Sequence, residues 1–402
     1  MLGTRLRVAL LSSVVSLTIS AQALGGETII HSFNPANHGG INPSGGLMMD
    51  GSGSFYGSAL DGTIFEFKPN GSGGWTYNVL CNCSGTYGYG SLVMDKSGNL
   101  YGANYFGEVY QYSPGGPGAW SGNQIYAFSG PAGSGPSPLT LDSDGNLYGV
   151  YAYGGSHGKG FVFRLSQGSN GAWSLTHIHD FSGTDGATTS QNNAYTLVGG
   201  LTIDSSGDLY GTTGQGGTSA NCHSGCGVVF KLTKSSGGWT EEVLHSFTGS
   251  DGINPDAPVL LDAAGNLYGT TTDGGGKGFG AVFEISAATG MTQDLYSFTN
   301  ANGDGAYPNS LLVLDAAGNL FGTTEAGGGT TNCTVASDNG CGTVYELRKE
   351  SGVYKESVLN RFLGEGNGGF PGGVSLGTDG NLYGVAEVGG GDNKGLFFKI
   401  PR

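Results

Sequence analysis

Three acidic residues in the last third of the chain occupy similar places in a recurring pattern. Glu325 follows "LFGTT" and Glu387 follows "LYGVA", and we take Asp273, which follows "LYGTTT", as their equivalent in the preceding unit. Carboxylates that converge could bind calcium or a cationic group, or they could shift one another's pKa and serve acid–base chemistry. Solvated surface carboxylates are common, so a position without a function is the alternative.

Four of the six cysteines form two closely spaced pairs. Cys222 and Cys226 lie in one glycine-rich segment, and Cys333 and Cys341 lie in the equivalent segment of a later unit. Neither pair has the C-x2-C spacing of a zinc site, so we predict one local disulfide in each segment. The last two cysteines are neighbours in one strand, where a disulfide would be strained, and their state stays open: Cys81 and Cys83.

Two histidines and one serine motif complete the candidates for chemistry. His177 and His179 have a spacing that places two imidazoles on one strand face, but no third ligand is evident, so we predict no metal site. The stretch "GGSHG" (154–158) matches G-x-S-x-G, yet it lies in a glycine-rich loop with no helix after it. An enzyme would also need basic groups that meet developing charge, and the chain has only 16 Lys and Arg. We therefore favour a binding protein over the alternative, a polysaccharide lyase or glycoside hydrolase.

All of these candidates are attached to one repeated segment. Its two best copies are "DAAGNLYGTT" (262–271) and "DAAGNLFGTT" (315–324), and five weaker copies complete a set of seven: 50–57, 95–102, 142–149, 204–211 and 377–384. A catalytic group is needed once, whereas a segment that recurs along the whole chain indicates a repeated structural unit. Function should therefore lie in the parts that differ between copies.

Each unit contains four short segments with the alternation of β-strands. In the fourth unit these are "GLTI" (200–203), "DLYG" (208–211), "GVVFKL" (227–232) and "WTEEVLHSF" (239–247), which we call strands a, b, c and d. The Asp-x-x-Gly segment between strands a and b suits a tight hairpin turn. Four antiparallel strands repeated seven times predict an all-β fold, a seven-bladed β-propeller.

The two ends of the chain predict how the ring closes. The last unit stops at strand c with "GLFFKIPR" (395–402), while "ETIIHSF" (27–33) near the N-terminus resembles an unpaired strand d. If these two strands pair, the seventh blade is completed and no open sheet edge remains. We therefore predict one propeller domain over residues 24–402.

The repeat resembles that of the Gloeo_Verruco (GloVer) tandem-repeat proteins of bacteria. The similar features are the segment D-x-x-G-N-L-Y-G-T-T, a glycine-rich gap and a strand such as "GTVYEL" (342–347). The match is specific in units four to six and looser in the first two, where "YGTT" becomes "YGSA" (56–59) and "YGAN" (101–104). This resemblance implies export, a repeat fold and a bacterial origin, and it implies no enzymatic activity.

The N-terminus and the composition indicate an exported protein. Residues 1–23 contain two arginines, an apolar run and "AQA" (21–23), which together fit a cleaved signal peptide. No later segment approaches the roughly 20 apolar residues of a membrane span, so we expect no transmembrane anchor after cleavage and a secreted or periplasmic location. The net charge of −15 disfavours nucleic acid as a partner. We also expect a monomer.

The predicted fold places the variable segments on one face of the ring. The loops between strands b and c differ most in length, and they share that face with the d–a crossovers between blades. We predict that this face binds an extracellular glycan or protein, with no cofactor except calcium at the carboxylates. Besides Glu325 and Glu387, the candidate contact residues are polar or aromatic: Asn42, Tyr89, Tyr105, Phe106, Asn254, Tyr307 and Phe370. The alternative is that these side chains pack within their own loops.

Overall fold

A computed structural model describes residues 26–35, 39–82, 90–115, 119–130, 135–188, 199–335 and 338–402. The N-terminal strand β1 is Thr28–Ser32, and blade one follows it with β2 (Pro43–Met49), β3 (Phe55–Ala59), β4 (Ile64–Pro69) and β5 (Trp75–Cys81). Blade two contains β6 (Val93–Met94), β7 (Leu100–Ala103), β8 (Glu108–Pro114) and β9 (Trp120–Ala127). Blade three contains β10 (Thr140–Leu141), β11 (Leu147–Tyr151), β12 (Phe161–Gln167) and β13 (Trp173–Asp180).

The remaining blades repeat this order with some additions. Blade four contains β14 (Leu201–Ile203), β15 (Leu209–Thr213), β16 (Val228–Ser235) and β17 (Gly238–Ser246), and blade five contains β18 (Leu260–Leu261), β19 (Leu267–Thr271), β20 (Ala281–Ile285) and β21 (Thr292–Ser297). Blade six contains β22 (Gly305–Pro308), β23 (Val313–Leu314), β24 (Leu320–Gly327), a small hairpin of β25 (Thr334–Val335) and β26 (Asp338–Asn339), β27 (Thr343–Glu350) and β28 (Val353–Arg361). Blade seven contains β29 (Gly369–Leu376), β30 (Leu382–Val388) and β31 (Leu396–Ile400), and a 3₁₀ turn, Glu365–Asn367, precedes it.

The seven sheets are antiparallel, and the ring closes as the sequence predicts. In the last sheet the strand order is β1-β31-β30-β29, and Thr28 lies opposite Lys399. The N-terminal strand therefore supplies the outer strand of blade seven. The prediction of an all-β, seven-bladed propeller closed by this strand is confirmed.

The Asp-x-x-Gly turn is built from hydrogen bonds that the repeated residues supply. In blade five, Asp262 Oδ1 accepts the backbone N–H groups of Ala264 (2.9 Å) and Asn266 (2.8 Å), while Gly265 adopts a φ of 87°. Oδ2 accepts the hydroxyl of Tyr268 at 3.4 Å. An aspartate and a glycine are needed because the first caps the turn and the second takes the left-handed conformation without strain.

The repeated tyrosines and tryptophans pack between neighbouring blades. Tyr148 of blade three lies against Trp239 of blade four, with 6.2 Å between ring centroids, and Tyr383 of blade seven lies 5.2 Å from Trp75 of blade one. The glycine of each "LYG" segment leaves room for an aromatic ring of strand c. A Cβ atom on Gly269 would lie 2.4 Å from the Phe283 ring. A larger residue there would push the two strands apart.

Both predicted loop disulfides are present. Cys222 is bonded to Cys226 and Cys333 to Cys341, with S–S distances of 2.00 and 2.03 Å. Cys81 is also disulfide-bonded, whereas Cys83 lies outside the described residues. The predicted signal peptide, residues 1–23, lies outside them as well. In the part of the chain that the structure describes, no helix is long and apolar enough to cross a membrane.

Candidate functional site

The two faces of the ring carry different kinds of connection. We call the face with the Asp-x-x-Gly turns the turn face, and the face with the b–c loops and d–a crossovers the loop face. On the loop face, described parts of the crossovers are hydrogen-bonded to loops beside them; for example, Ile253 pairs with Asp273 and Ala187 with Gln215. The loop face is therefore an ordered surface in these blades, and side chains on it have defined positions.

Four of the predicted contact residues share one position in their crossovers. Each immediately precedes the proline that leads into strand a, and each has a positive φ: Asn42 (51°), Asn254 (56°), Tyr307 (59°) and Phe370 (55°). Each backbone N–H donates to a carbonyl of the preceding blade, at 2.7 to 3.1 Å. The repeated backbone therefore imposes the left-handed conformation. Asparagine tolerates it well, whereas it is unusual for tyrosine and phenylalanine.

The two aromatic members of this set lie opposite the predicted glutamates. Pro308 pairs with Thr324 and Ala306 with Ala326, so Tyr307 faces Glu325 across the ladder. The same spacing in blade seven places Phe370 opposite Glu387. We expected both glutamates just beyond strand b, but they lie within β24 and β30, because the crossover residues extend the ladder in these two blades.

The equivalence assigned to Asp273 is off by one residue. The backbone N–H of Thr272 donates to Asn254 O at 3.0 Å, so Thr272 has the place that Glu325 and Glu387 have in their blades. Asp273 is the next residue, and its Oδ2 accepts a hydrogen bond from Asn254 Nδ2 at 3.0 Å. The charge of Asp273 nevertheless raises the pKa of Glu325 in the next blade.

Four carboxylates influence one another at this place. Burial raises the pKa of Glu325, and the charges of Glu387 and Asp273 raise it further. Burial followed by the charge of Asp273 raises the pKa of Asp256 to about 7. We call Asp256, Asp273, Glu325 and Glu387 the acidic rim; Asp256 lies in the crossover before β18. Sequence reasoning missed Asp256; its position just after the crossover proline, in "NPDAP" (254–258), is the only signal for it.

Amides surround the acidic rim, and basic groups do not. Asn309 Nδ2 donates to Glu325 Oε2 at 3.2 Å, and Asn42 Nδ2 donates to the backbone carbonyl of Glu387 at 3.0 Å. Among the described residues, none of the ion pairs includes a member of the rim. All four side chains keep partial contact with solvent. The rim can therefore attract a cation or accept hydrogen bonds from a ligand.

The predicted aromatic residues of blade two form a separate group on the loop face. Tyr105 and Phe106 occupy a tight turn in which Gly107 N–H donates to Asn104 O at 3.1 Å. Their rings meet edge to face with centroids 5.4 Å apart, and Phe106 is 40% exposed. The acidic rim belongs to blades five to seven, so the structure does not bring these rings together with the carboxylates. Tyr89 lies outside the described residues.

A cavity that sequence reasoning missed lies on the turn face. It has a volume of about 790 Å³ and is lined by the inner strands and Asp-x-x-Gly turns of blades one to three, including Met48, Met94 and Leu141. The turn aspartates around it already cap their own turns; Asp95 Oδ1, for example, accepts the N–H groups of Ser97 and Asn99. The turn face therefore offers a recess lined both by apolar side chains and by turn aspartates.

The serine motif does not form a nucleophilic site. Ser156 Oγ donates to Asp180 Oδ2 at 2.5 Å, and His177 Nδ1 lies 2.9 Å from Asp180 Oδ1. The imidazole therefore contacts the carboxylate that holds the serine, and it is not hydrogen-bonded to the serine hydroxyl. Tyr151–Phe161 pairing closes this loop as a β-hairpin connection, with no helix after the serine.

Solved structures with a similar fold include two from bacterial surfaces. The chain matches the extracellular domain of a putative hybrid two-component system of B. thetaiotaomicron with a TM-score of 0.56 and 15% identity, over 94% of this chain and 41% of that one. It matches PorZ, a surface component of the type-IX secretion system of Porphyromonas gingivalis, with a TM-score of 0.50 and 14% identity, over 87% and 46%. The Dos1 propeller gives a TM-score of 0.50 and 12% identity, over 90% and 78%.

At these identities the likeness shows the fold alone. This chain spans about two-fifths of the B. thetaiotaomicron domain and less than half of PorZ. No curated protein matches the chain in sequence. The model of the Gloeobacter/Verrucomicrobia repeat, by contrast, matches residues 103–336 and 198–402. Together these two matches cover most of the propeller, so the chain belongs to the Gloeobacter/Verrucomicrobia repeat family.

Proposed function

We propose that this protein is an exported binding propeller that recognises a glycan or a peptide with cationic groups on its loop face. The observation that carries the proposal is the acidic rim. Besides burial, the charges of Glu387 and Asp273 raise the pKa of Glu325, and the charge of Asp273 raises that of Asp256, while none of the four carboxylates has a basic partner among the described residues. Like charges held together raise the free energy of the empty site, and a cationic ligand relieves this repulsion.

The residues beside the rim suit the same kind of ligand. Tyr307 and Phe370 stand opposite Glu325 and Glu387, and aromatic rings offer flat apolar area for sugar rings or peptide side chains. Large residues in a left-handed conformation are costly, and such strain is concentrated at functional sites. The repeated crossover accounts for the left-handed backbone conformation at this position. It does not account for the aromatic side chains in blades six and seven, which favour a role in ligand contact.

Export is part of this proposal. Two disulfides in loops of the same face are typical of proteins from oxidising compartments. A similar fold in the extracellular domain from B. thetaiotaomicron agrees with this location. Fractionation of cells that express the full chain should recover the mature protein, beginning after residue 23, outside the cytoplasm.

The binding test compares ligands that differ in charge alone. Chitosan and chitin oligosaccharides share a backbone but differ in their free amino groups, and lysine-containing peptides can be compared with acetylated copies. We expect calorimetric binding of the cationic member of each pair. Glu325→Gln should weaken it about tenfold, because a hydrogen bond to a charged group contributes about 1.5 kcal/mol.

Control variants separate the two faces. Asp144→Asn removes an exposed charge on the turn face and should leave the affinity unchanged. Met94→Glu places a charge in the turn-face cavity and should also have no effect. Binding that survives the double change Glu325→Gln and Glu387→Gln, or that is lost in Met94→Glu, would contradict the proposed site. Addition of calcium or of a chelator to the same titration tests the expected calcium site at these carboxylates.

An enzyme acting on polysaccharide is the second candidate, and one observation favours it. Asp256, with a pKa raised to about 7, stands beside Asp273, and glycosidases pair a protonated carboxyl group with an ionised one. The same incubation with a polysaccharide panel, read for reducing ends or unsaturated products, decides between the two functions. Product release that disappears in Asp256→Asn would establish the enzyme, whereas binding without product supports the binding protein.

A further inference from the structure

A second group of side chains meets at the outer edge of the ring, between blades three and four. His179 comes from β13, Asp185 from the following crossover and Glu241 from β17. The ligand atoms of these three residues all lie within 4.8 Å of one another, and His179 Nε2 is 3.0 Å from Asp185 Oδ2. Sequence reasoning found no third ligand for His179, because Glu241 comes from the next blade and Asp185 from the crossover that follows β13.

The two carboxylates are held in different ways. Asp185 Oδ1 accepts the N–H (2.7 Å) and hydroxyl (2.8 Å) of Ser182 and the N–H of Gly183 (3.1 Å), which leaves Oδ2 directed at the histidine. Glu241 Oε1 is enclosed by protein and accepts no hydrogen bond. Burial, then the charges of Asp185 and Glu242, raise the pKa of Glu241 to about 7. Among the described residues, no lysine or arginine forms an ion pair with Glu241.

Positions equivalent to those of His179, Asp185 and Glu241 occur at other blade interfaces, but they carry different sets of residues. Glu356 is equivalent to Glu241, because it pairs with Leu347 as Glu241 pairs with Leu232. At this interface, however, Tyr296 stands in place of His179, and its hydroxyl donates to Asp304 at 3.1 Å. His245 lies 2.9 Å from Asp251, but the position of the glutamate is Thr292 there.

A third interface shows how a glutamate at this place is satisfied without a cation. Glu27 of the closing strand accepts hydrogen bonds on both carboxylate oxygens, from Asn360 Nδ2 and Asn367 Nδ2. At the interface of blades three and four, by contrast, no amide of the described residues donates to Glu241 Oε1. Among the described residues, imidazole, aspartate and glutamate occur together in this one group.

We propose that His179, Asp185 and Glu241 bind one divalent transition-metal ion, with Zn²⁺ as the best fit, that joins the outer strands of blades three and four. Imidazole nitrogen and carboxylate oxygen are zinc ligands, whereas calcium and magnesium prefer oxygen alone. Three protein ligands leave a fourth position for water. An ion here would neutralise Glu241 and replace the direct contact between His179 and Asp185.

Binding of the metal should also stabilise the folded propeller. Its ligands come from two blades, and a ligand that binds only the folded state stabilises that state. Without metal, the carboxylates of Glu241 and Asp185 repel each other. A metal-bound site and a metal-free pair of carboxylates predict different results for Glu241→Gln, which keeps the shape of the side chain and removes its charge.

The experiment uses untagged mature protein that has been treated with a chelator and dialysed at pH 7.5. Titration with ZnCl₂ should show one site per chain and a rise in melting temperature, and CaCl₂ and MgCl₂ should show neither. Glu241→Gln and His179→Asn should each weaken zinc binding at least tenfold. Their matched controls at the sister interfaces, Glu356→Gln and His245→Asn, should bind zinc like the wild type.

Two further measurements distinguish a loss of zinc binding from a loss of folding. Glu241→Gln should melt no lower than the wild type in the absence of metal, because it removes a like-charge contact. Replacement of zinc by Co²⁺ should give a visible spectrum that Glu241→Gln abolishes. The proposal is overturned if the wild type binds no stoichiometric zinc, if Glu241→Gln retains it, or if calcium binds in preference.

Discussion

The glutamate between blades five and six should make the stability of the propeller depend on pH. Burial, followed by the charge of Asp304, raises the pKa of Glu356 from 4.5 to about 7, and Arg361 offsets part of this. A carboxyl group whose pKa is raised on folding favours its protonated form in the folded state. Its contribution is therefore fully present below about pH 4.5 and is lost as the pH rises through about 7.

The size of the effect follows from the same change in pKa. Each unit of pKa corresponds to about 1.4 kcal/mol, so a rise from 4.5 to about 7 sets an upper limit of about 3 kcal/mol. Glu356 keeps some exposure to solvent, which screens the interaction. We expect Glu356→Gln to be about 1 to 2 kcal/mol more stable than the wild type at pH 8. At pH 5 the difference should shrink to a small part of this, because the carboxyl group is then neutral in the folded wild type and ionises only in the unfolded chain.

Urea denaturation at pH 5 and pH 8, in the presence of a chelator, measures this difference as a shift in the midpoint. Glu350→Gln is the matched control, since Glu350 is exposed on the neighbouring strand and pairs with Lys355 at 2.5 Å. It should show no gain at pH 8. If Glu356→Gln loses the same stability at both pH values, the glutamate acts through packing or hydrogen bonding, and the reasoning from its ionisation is refuted.

Three further predictions concern the frame that carries the faces. Deletion of residues 27–33 removes β1 and exposes the edge of β31, so the melting temperature should fall sharply and light scattering should show association; an unchanged monomeric truncation would rule out closure by this strand. The pair Cys222→Ser and Cys226→Ser opens a short loop, which should cost about 2 kcal/mol in denaturation experiments; a variant as stable as the wild type would show that the loop is held by other contacts. Tyr268→Ala should lower the free energy of unfolding by about 3 kcal/mol, because a buried ring is lost, and should leave ligand affinity intact. Tyr105→Ala and Tyr89→Ala, by contrast, should leave the free energy of unfolding unchanged. The opposite pattern would exchange the roles of these tyrosines.

Much of the fold could be predicted from the sequence because the information is local and repeated. The Asp-x-x-Gly turn depends on residues within six positions of Asp262, and seven copies of it reveal seven blades. The unpaired strand at 27–33 and the missing last strand predict the closure that the pairing of Thr28 with Lys399 confirms. Cysteines a few residues apart in equivalent loops likewise identify their own partners.

The candidate sites depend on contacts between blades, which no local sequence pattern reveals. Asp273 and Glu325 interact although they lie in different repeats, and Asp273 lies one residue beyond the position that Glu325 has in its own blade. Glu241 meets His179 because strand d of one blade packs on the crossover of the blade before it. The sequence alone determined the blade, its turns and the closure, since each depends on short-range hydrogen bonds or on periodicity. The tertiary structure alone decided which carboxylates converge, because that depends on how crossovers of unequal length bring separate blades together.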